Sequence, residues 1–470
     1  MTGDVQLKPD ATHVWLVALA LVVVASGFSR TAAAQAAPDL DPRIAGLVGQ
    51  VSEARLVVLL KKLESFGTRN TLSSTDSPTR GIGAARQWIF DEMKSYSPRL
   101  RVAFDTYRIA KEGRITRDVE VRNVMAVLPG RSPRRIYVSG HYDTIAIAGG
   151  QSNSNAGTRG RDGIVIIQPD DPNAPHDSPA AGVNDDGSGT SLTMELARVF
   201  GQSGIDFDAT LVFMCHVAEE QGLMGAKLHA QKAQKEKIPI EAVLNNDIVG
   251  NDRGGNGIVD GASIRVYSEG PEDSPSRELA RFVQRWGMRY VPSHRVRPIA
   301  RPDRFSRGGD HSAYNQYGFA AVGFRESRED FNRQHDPRDT FDGLSPAYLA
   351  QNARVNAAVA AALALAPPAP VVLNERGLAN INRAPSGYDA HLAWTASPGA
   401  SAYRIFWREA WGPDWQHELL VGNVTETTLA NTLIDDLVFG VAAVDAAGHE
   451  SLVAPYISPP REATDVKTIP

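Results

Sequence analysis

Residues 135–143 read RIYVSGHYD. The run is apolar, too short for a helix, and ends on an imidazole and a carboxylate. It predicts a strand over 135–140, so His141 stands where a buried strand gives way to a loop. The pattern recurs downstream. FDATLVFMCHV at 207–217 is a second apolar strand, closely followed by Glu219 and Glu220, and AVLNN at 242–246 is a third that delivers Asp247. Helical patterns lie between them, one starting near Gly189 behind a Ser188 cap and one over 223–235. Strands alternating with helices predict an α/β fold, a mostly parallel central sheet flanked by helices on both faces. Ligands are then expected at strand ends.

Working outward, apolar residues at three- and four-residue intervals predict helices over 44–63 and 84–94. Further strands are expected at 119–127, 264–267, 289–291 and 320–324. Ser274 caps a helix that opens on Pro275 and runs to Trp286. The second half of a helix over 349–365 carries no polar side chain and belongs against a sheet. Residues 149–181, rich in Gly, Asn, Ser, Asp and Pro with a short strand at 164–167, form an insertion at the rim of the site.

At 470 residues the chain can bury a large core. Its net charge of -5 and lack of a dense Lys/Arg stripe argue against nucleic-acid binding. The apolar run VWLVALALVVVA at 14–25 is 12 residues long, short of the roughly 20 needed to span a bilayer. Small residues at Ala32, Ala34 and Ala36 offer a cleavage site, so a signal peptide and a secreted or periplasmic protein are expected, with no integral membrane span in the mature chain. Lys8 is offset by Asp4 and Asp10, which is unusual for such a leader. The sole Cys215 forms no intrachain disulfide; it and His216 read as strand packing.

The chemistry lies in an ordered set: His141 and Asp143 in SGHYD, Asp185 in GVNDDGSG, Glu219 and Glu220 in VAEEQG, Asp247 in LNNDIVG and His311 in GGDHS. Taken singly, these are a surface turn, an Asp/Gly turn and a helix start; together they describe a metal site. Successive ligands are 44, 35, 27 and 64 residues apart, so only a fold can assemble them. Asp185 is suited to bridge two ions, because a carboxylate has two oxygens and an imidazole one free lone pair. Glu220 and His311 would complete one ion, His141 and Asp247 the other. Asp143 is placed to accept the second N–H of His141, and Asp310 to serve His311 in the same way. Glu219, diverging from its neighbour, is the candidate general base.

SGHYD, GVNDDGSG, AEEQGLMG, LNNDIVG and GGDHSAY, with HDPRDTFD farther on, resemble the M28 family of zinc peptidases in content and order, over approximately residues 45–365. The resemblance implies two Zn2+ ions on an α/β sheet and removal of an amino-terminal residue from a peptide. It makes His141, Asp185, Glu220, Asp247 and His311 the zinc ligands, Asp185 the bridge and Glu219 the base. His335 aligns with a family histidine near the substrate or oxyanion. The family often has Thr after it, where this chain has Asp336.

After APPAP at 366–370, the segments LAWTASPG, AYRIFWR and FGVAAVDAAGHES resemble a fibronectin type III domain, with Trp394, Tyr403, Ile405 and Trp407 suited to its interior or edge. The organisation expected is a signal peptide over 1–36, a peptidase domain over 37–365, a linker over 366–373, a sandwich over 374–458 and a tail over 459–470. The sandwich is a candidate for contact with a surface or polymer. A secreted dizinc aminopeptidase is the leading expectation. A carboxypeptidase or dipeptidase is the first rival, with Arg325 or Arg338 holding a substrate carboxylate, although Arg325 and Glu326 suit a salt bridge equally well. A noncatalytic surface binding protein is the second, and a retained base at Glu219 argues against it.

Overall fold

The computed structural model describes residues 40–146 and 176–457. The signal peptide, the strand expected at 164–167 and the tail lie outside the described residues. Eight strands form one sheet: β1 (Arg101–Ile109), β2 (Val119–Leu128), β3 (Arg135–His141), β4 (Thr210–His216), β5 (Ile240–Asn246), β6 (Ser263–Ser268), β7 (Arg295–Ile299) and β8 (Ala321–Glu326), in the order β1-β2-β4-β3-β5-β8-β6-β7. The centre, β4-β3-β5-β8, is parallel, as is the β6-β7 edge pair. The pairs β1/β2, β2/β4 and β6/β8 are antiparallel. The sheet is therefore mixed around a parallel core.

Among the described residues eight α-helices accompany it: α1 (Pro42–Gly49), α2 (Glu53–Glu64), α3 (Gly81–Tyr96), α4 (Gly187–Gln202), α5 (Met224–Lys235), α6 (Pro275–Tyr290), α7 (Asp310–Gln316) and α8 (Pro346–Leu365). Strand alternation explains why both sheet faces are covered. Ile136 and Val138 of β3 and Leu211 and Phe213 of β4 enter a core with α4 and α8. Tyr137, Val212 and Met214, pointing the other way, pack with α5 and α7. The apolar end of α8 is buried throughout, as its sequence requires.

Three local expectations change. The helix expected over 44–63 is two, because Ser52 caps α2 by accepting from Arg55 N–H, and its own N–H donates to Glu195. The strand expected at 289–291 is instead the end of α6, and the neighbouring strand starts at Arg295. The cap of α4 is Asp186, which accepts from Gly189 N–H at 2.8 Å; Ser188 donates to the Asn184 carbonyl. Ser274 caps α6 as expected, with Pro275 in its first turn.

Beyond α8 lie two small antiparallel sheets. One orders β13 (Glu426–Leu429), β10 (Ala390–Ala393) and β9 (Ile381–Asn382); the other orders β12 (His417–Val421), β11 (Ala402–Glu409), β14 (Leu437–Val444) and β15 (Ala454–Pro455). Trp394, Tyr403, Ile405 and Phe439 form their core, while Trp407 is half-buried and stacks on His417. These sheets lean on α6: Trp415 donates to Glu278, Arg281 to the Pro413 carbonyl, and Arg408 pairs with Asp273. The intervening segment is pinned as well, Arg134 donating to the Ala366 carbonyl and Ser397 to that of Pro368.

Candidate metal centre

The centre forms where β3 and β5 end and α4 begins. His141 is the last residue of β3, and Asp247 follows β5 directly. Two glycines let the start of α4 approach both strands. A Cβ on Gly189 would fall 2.0 Å from the Asn246 carbonyl oxygen, and one on Gly140 would fall 2.6 Å from the Gly189 backbone. Asp186 secures the junction: Oδ2 accepts the His141 N–H (2.9 Å), and Oδ1 accepts that of Ile248 (3.2 Å). Asp185, one residue earlier and joined to Asp186 by a cis peptide, then faces the strand ends.

Two groups of donor atoms converge, each within 4.8 Å: His141 with Asp185 and Glu220, and His141 with Glu219 and Asp247. His141 Nε2 is 3.4 Å from Asp185 Oδ1, 3.8 Å from Asp247 Oδ1 and 4.0 Å from Glu219 Oε2. The other oxygen of Asp185 turns elsewhere. His335 Nε2 lies 3.2 Å from Asp185 Oδ2 and 3.1 Å from Glu220 Oε2. A tetrahedral ion with bonds of about 2.0–2.1 Å holds its donors roughly 3.3 Å apart, so these spacings suit shared coordination. Nε2 of His141 and Oε1 of Glu220 are buried and make no hydrogen bond among the described residues, as expected of atoms that a cation would satisfy.

His311 does not enter either group. Its Nε2 is 2.8 Å from the Pro302 carbonyl and 3.7 Å from Asp303 Oδ2, and its ring occupies the space that Gly323 leaves, where a Cβ would fall 2.5 Å from Cε1. Asp310 is fully buried beside it, and neither of its oxygens has a hydrogen bond among the described residues. Thus His335, expected near the substrate, is the second imidazole at the carboxylates, and His311 is held by the loop before α7.

The supporting contacts are partly those expected. Asp143 Oδ1 is 3.6 Å from His141 Nδ1, which lies closer, 3.1 Å, to the Asp143 carbonyl. The Asp143 carboxylate also accepts the backbone N–H groups of Glu219 and Glu220, each at 3.2 Å, so it aims both glutamates. Two supports escaped the sequence reading, and a third, Arg325, forms the salt bridge weighed for it. Asp186 has the role given above; Asp339 accepts backbone N–H groups of Asn184 and Asp185; Arg325 pairs with Asp247 and, at 3.0 Å, with Asp303. The tandem Asp in NDD and the second Asp of HDPRD were the available signals for the first two. Glu326 accepts from Asn184 Nδ2 and the Asn251 N–H, so it braces the same loop.

The electrostatics match a cation site. Burial opposes charge on His141, yet Glu219 and the carboxylates of Asp143, Asp185 and Asp247 hold its pKa well above the usual imidazole range. Burial, with Asp247, Glu220 and Asp310 close by, pushes Glu219 well above the carboxylate range. Burial also works against the Asp247 anion, but Arg325 and His141 hold it down at about 2. Four carboxylates facing two imidazoles leave an excess of negative charge that divalent ions neutralise.

The model of peptidase family M28 matches residues 123–360. A Pyricularia oryzae protein described as a probable zinc metalloprotease is 36% identical over 457 residues, covering 88% of this chain and 84% of its own. A Leptosphaeria maculans protein of the same description is 33% identical over 459 residues, covering 90% and 98%. Both matches cover more of this chain than residues 1–365 could supply, so they extend into the C-terminal sheets. Among solved structures, the LapA aminopeptidase of Legionella pneumophila superposes with a TM-score of 0.50 at 18% identity, over 69% of this chain and 75% of that one. That likeness is one of fold.

Proposed function

The chain belongs to peptidase family M28, and on that premise we propose that it is a secreted zinc aminopeptidase, removing the amino-terminal residue of a peptide. The carrying observation is that the two oxygens of Asp185 face different imidazoles, His141 at 3.4 Å and His335 at 3.2 Å. An imidazole nitrogen has one lone pair and cannot serve two ions, whereas a carboxylate can. Asp185 would thus hold both ions, with His141 and Asp247 completing one and His335 and Glu220 the other. This ligand set replaces His311 by His335.

Bound zinc would acidify a water and polarise the scissile carbonyl. Glu219, left over once the ligands are assigned, accepts the proton of the attacking water and returns it to the departing amine. Asp143 fixes the backbone of Glu219, and Asp186 and Asp339 fix that of the strand ends and the bridge.

The rival carboxypeptidase reading needs a cation for the substrate carboxylate. Arg325 is fully buried and committed to Asp247 and Asp303, and Arg338 is paired with Asp336. Arg325 is thereby unavailable. The leader-like run at 14–25 supports export to the periplasm or beyond the cell, and no helix among the described residues is long and apolar enough to cross a membrane. Three- and four-stranded antiparallel sheets around Trp394 and Tyr403 support a fibronectin type III-like sandwich. Exposed Tyr388 and Trp411 on it support contact with a surface or polymer.

The test is zinc stoichiometry together with cleavage of an amino-acid anilide, free and N-acetylated. Two ions per chain and cleavage of the free anilide alone are expected. Equal rates on the acetylated compound would overturn the aminopeptidase reading, and a single ion the dinuclear one.

A further inference from the structure

We propose that a cavity beside the metal centre is a subsite for a carboxylate on the peptide substrate, a few residues beyond the scissile bond. The inference rests on the peptidase reading and adds a specificity to the same site.

The cavity has a volume of about 210 Å3, and Gly254, Asn256, Arg265, Arg328, Glu329 and Phe331 are among its lining. Two loops meet there. One follows Asp247; the other leads into His335. They are pressed together, since a Cβ on Gly255 would fall 2.5 Å from Asn332 Nδ2 and 2.6 Å from Asp330 Oδ1. Gln334, the neighbour of His335, donates to Glu329 Oε2 at 3.0 Å. Phe331 precedes His335 by four residues, a length of chain that spans at most about 14 Å. The cavity wall at Phe331 thus lies within about 14 Å of His335, a span that about four residues of extended peptide cover.

The lining carries a surplus of positive charge in a chain whose net charge is -5. Its one carboxylate, Glu329, is already engaged by Arg265 (2.5 Å), Arg304 (2.7 Å) and Arg307 (3.1 Å). Burial opposes the Glu329 anion, but these guanidiniums hold it well below the usual carboxylate range. Arg328 is exposed and makes no hydrogen bond or ion pair among the described residues, although its charge acts on the nearby Asp260 carboxylate. A lone exposed arginine is ordinarily just solvated. Here it borders a cavity whose one lining carboxylate among the described residues is spent, together with the half-exposed ring of Phe331. Its forked donors suit a carboxylate, whether an Asp or Glu side chain or the peptide's own C-terminus.

The test uses full-length zinc-loaded protein and free-amine tetrapeptides in pairs: Asp against Asn at the third and fourth positions, and free against amidated C-termini. An anilide, too short to reach the cavity, is the control. The wild type should favour one acid-bearing member by about fivefold in kcat/KM, the size of a partly exposed ion pair. Arg328→Gln should equalise the pair and leave the anilide unchanged, and the pair that responds identifies the carboxylate. No acid preference, a preference that survives Arg328→Gln, or an equal loss on the anilide overturns the proposal. Binding of side-chain-labelled peptides to a Glu219→Gln background, followed by anisotropy, reads the cavity without turnover. An acid preference there that Arg328→Gln removes supports the subsite even if the anilide resists cleavage, in which case the peptidase reading alone fails; equal binding overturns the subsite.

Discussion

Asp339 holds Asp185 from behind: its Oδ2 accepts the backbone N–H of Asp185 at 2.9 Å, while Oδ1 accepts that of Asn184 at 2.9 Å. Its backbone carbonyl takes the N–H of Val183 as well. Four residues after His335, Asp339 thus locks the loop bearing one imidazole to the loop bearing the bridging carboxylate. Burial pushes its carboxyl up to about 7, against the pull of those donors. Asp339→Ala strands two buried N–H groups at about 1–3 kcal/mol each and should lower zinc affinity about 10- to 100-fold. Asp339→Asn, which keeps an acceptor, should fall between. Competition with a chelator and a thermal melt measure both.

The two histidines separate by metal count. His335→Ala removes the imidazole beside Asp185 and Glu220 and should leave about one tightly held zinc per chain, because the remaining donors are fewer than the four an ion prefers. His311→Ala should keep both ions. It empties a buried ring site against Gly323 and frees the Pro302 carbonyl, costing about 1–3 kcal/mol of stability. Elemental analysis of the two variants decides, and the reverse pattern would restore His311 as the ligand.

Glu219 belongs to a group that includes His141 and Asp247, so base and ligand roles must be told apart. Glu219→Gln keeps the shape and the N–H that Asp143 accepts. Loss of the proton acceptor alone should reduce turnover about 10²- to 10⁴-fold with zinc content unchanged. Asp185→Ala should instead lose metal. Zinc loss in Glu219→Gln comparable to that of Asp185→Ala would make Glu219 a ligand.

What could be read without the fold was whatever repeats locally. Continuous apolar runs mark β3, β4 and β5, and the residues just after them carry the chemistry. β1 was missed because Thr106 and Arg108, exposed on an edge strand paired only with β2, and Asp105, buried against His229, break up its apolar positions. Asp186 and Arg325 were unreadable for another reason. Their partners are backbone groups and carboxylates 45 and 78 residues away, and nothing in either segment states the pairing. His311, in the first turn of α7, and His335, in a loop, each stand beside an aspartate, Asp310 and Asp336, and only ring direction distinguishes them. Chain order does not carry that direction.

Glu278 gives the stability a pH dependence unconnected with zinc. It is buried between α6 and the C-terminal sheets, accepting from Arg281 at 2.6 Å and from Trp415 Nε1 at 3.1 Å. Burial outweighs these donors and raises its pKa to about 7 from 4.5. The folded state therefore binds this proton more tightly than the unfolded chain does, so its contribution is full below about pH 4.5, shrinks as pH rises, and is gone above about pH 7. The shift corresponds to at most about 3 kcal/mol. Glu278→Gln keeps an acceptor for Trp415 and cannot ionise. Relative to wild type, it should gain stability steadily from pH 5 to pH 7 and hold that gain at pH 8. Denaturant midpoints across this range, taken on both proteins at fixed zinc, check the difference; a constant offset would place Glu278 in water rather than at the interface.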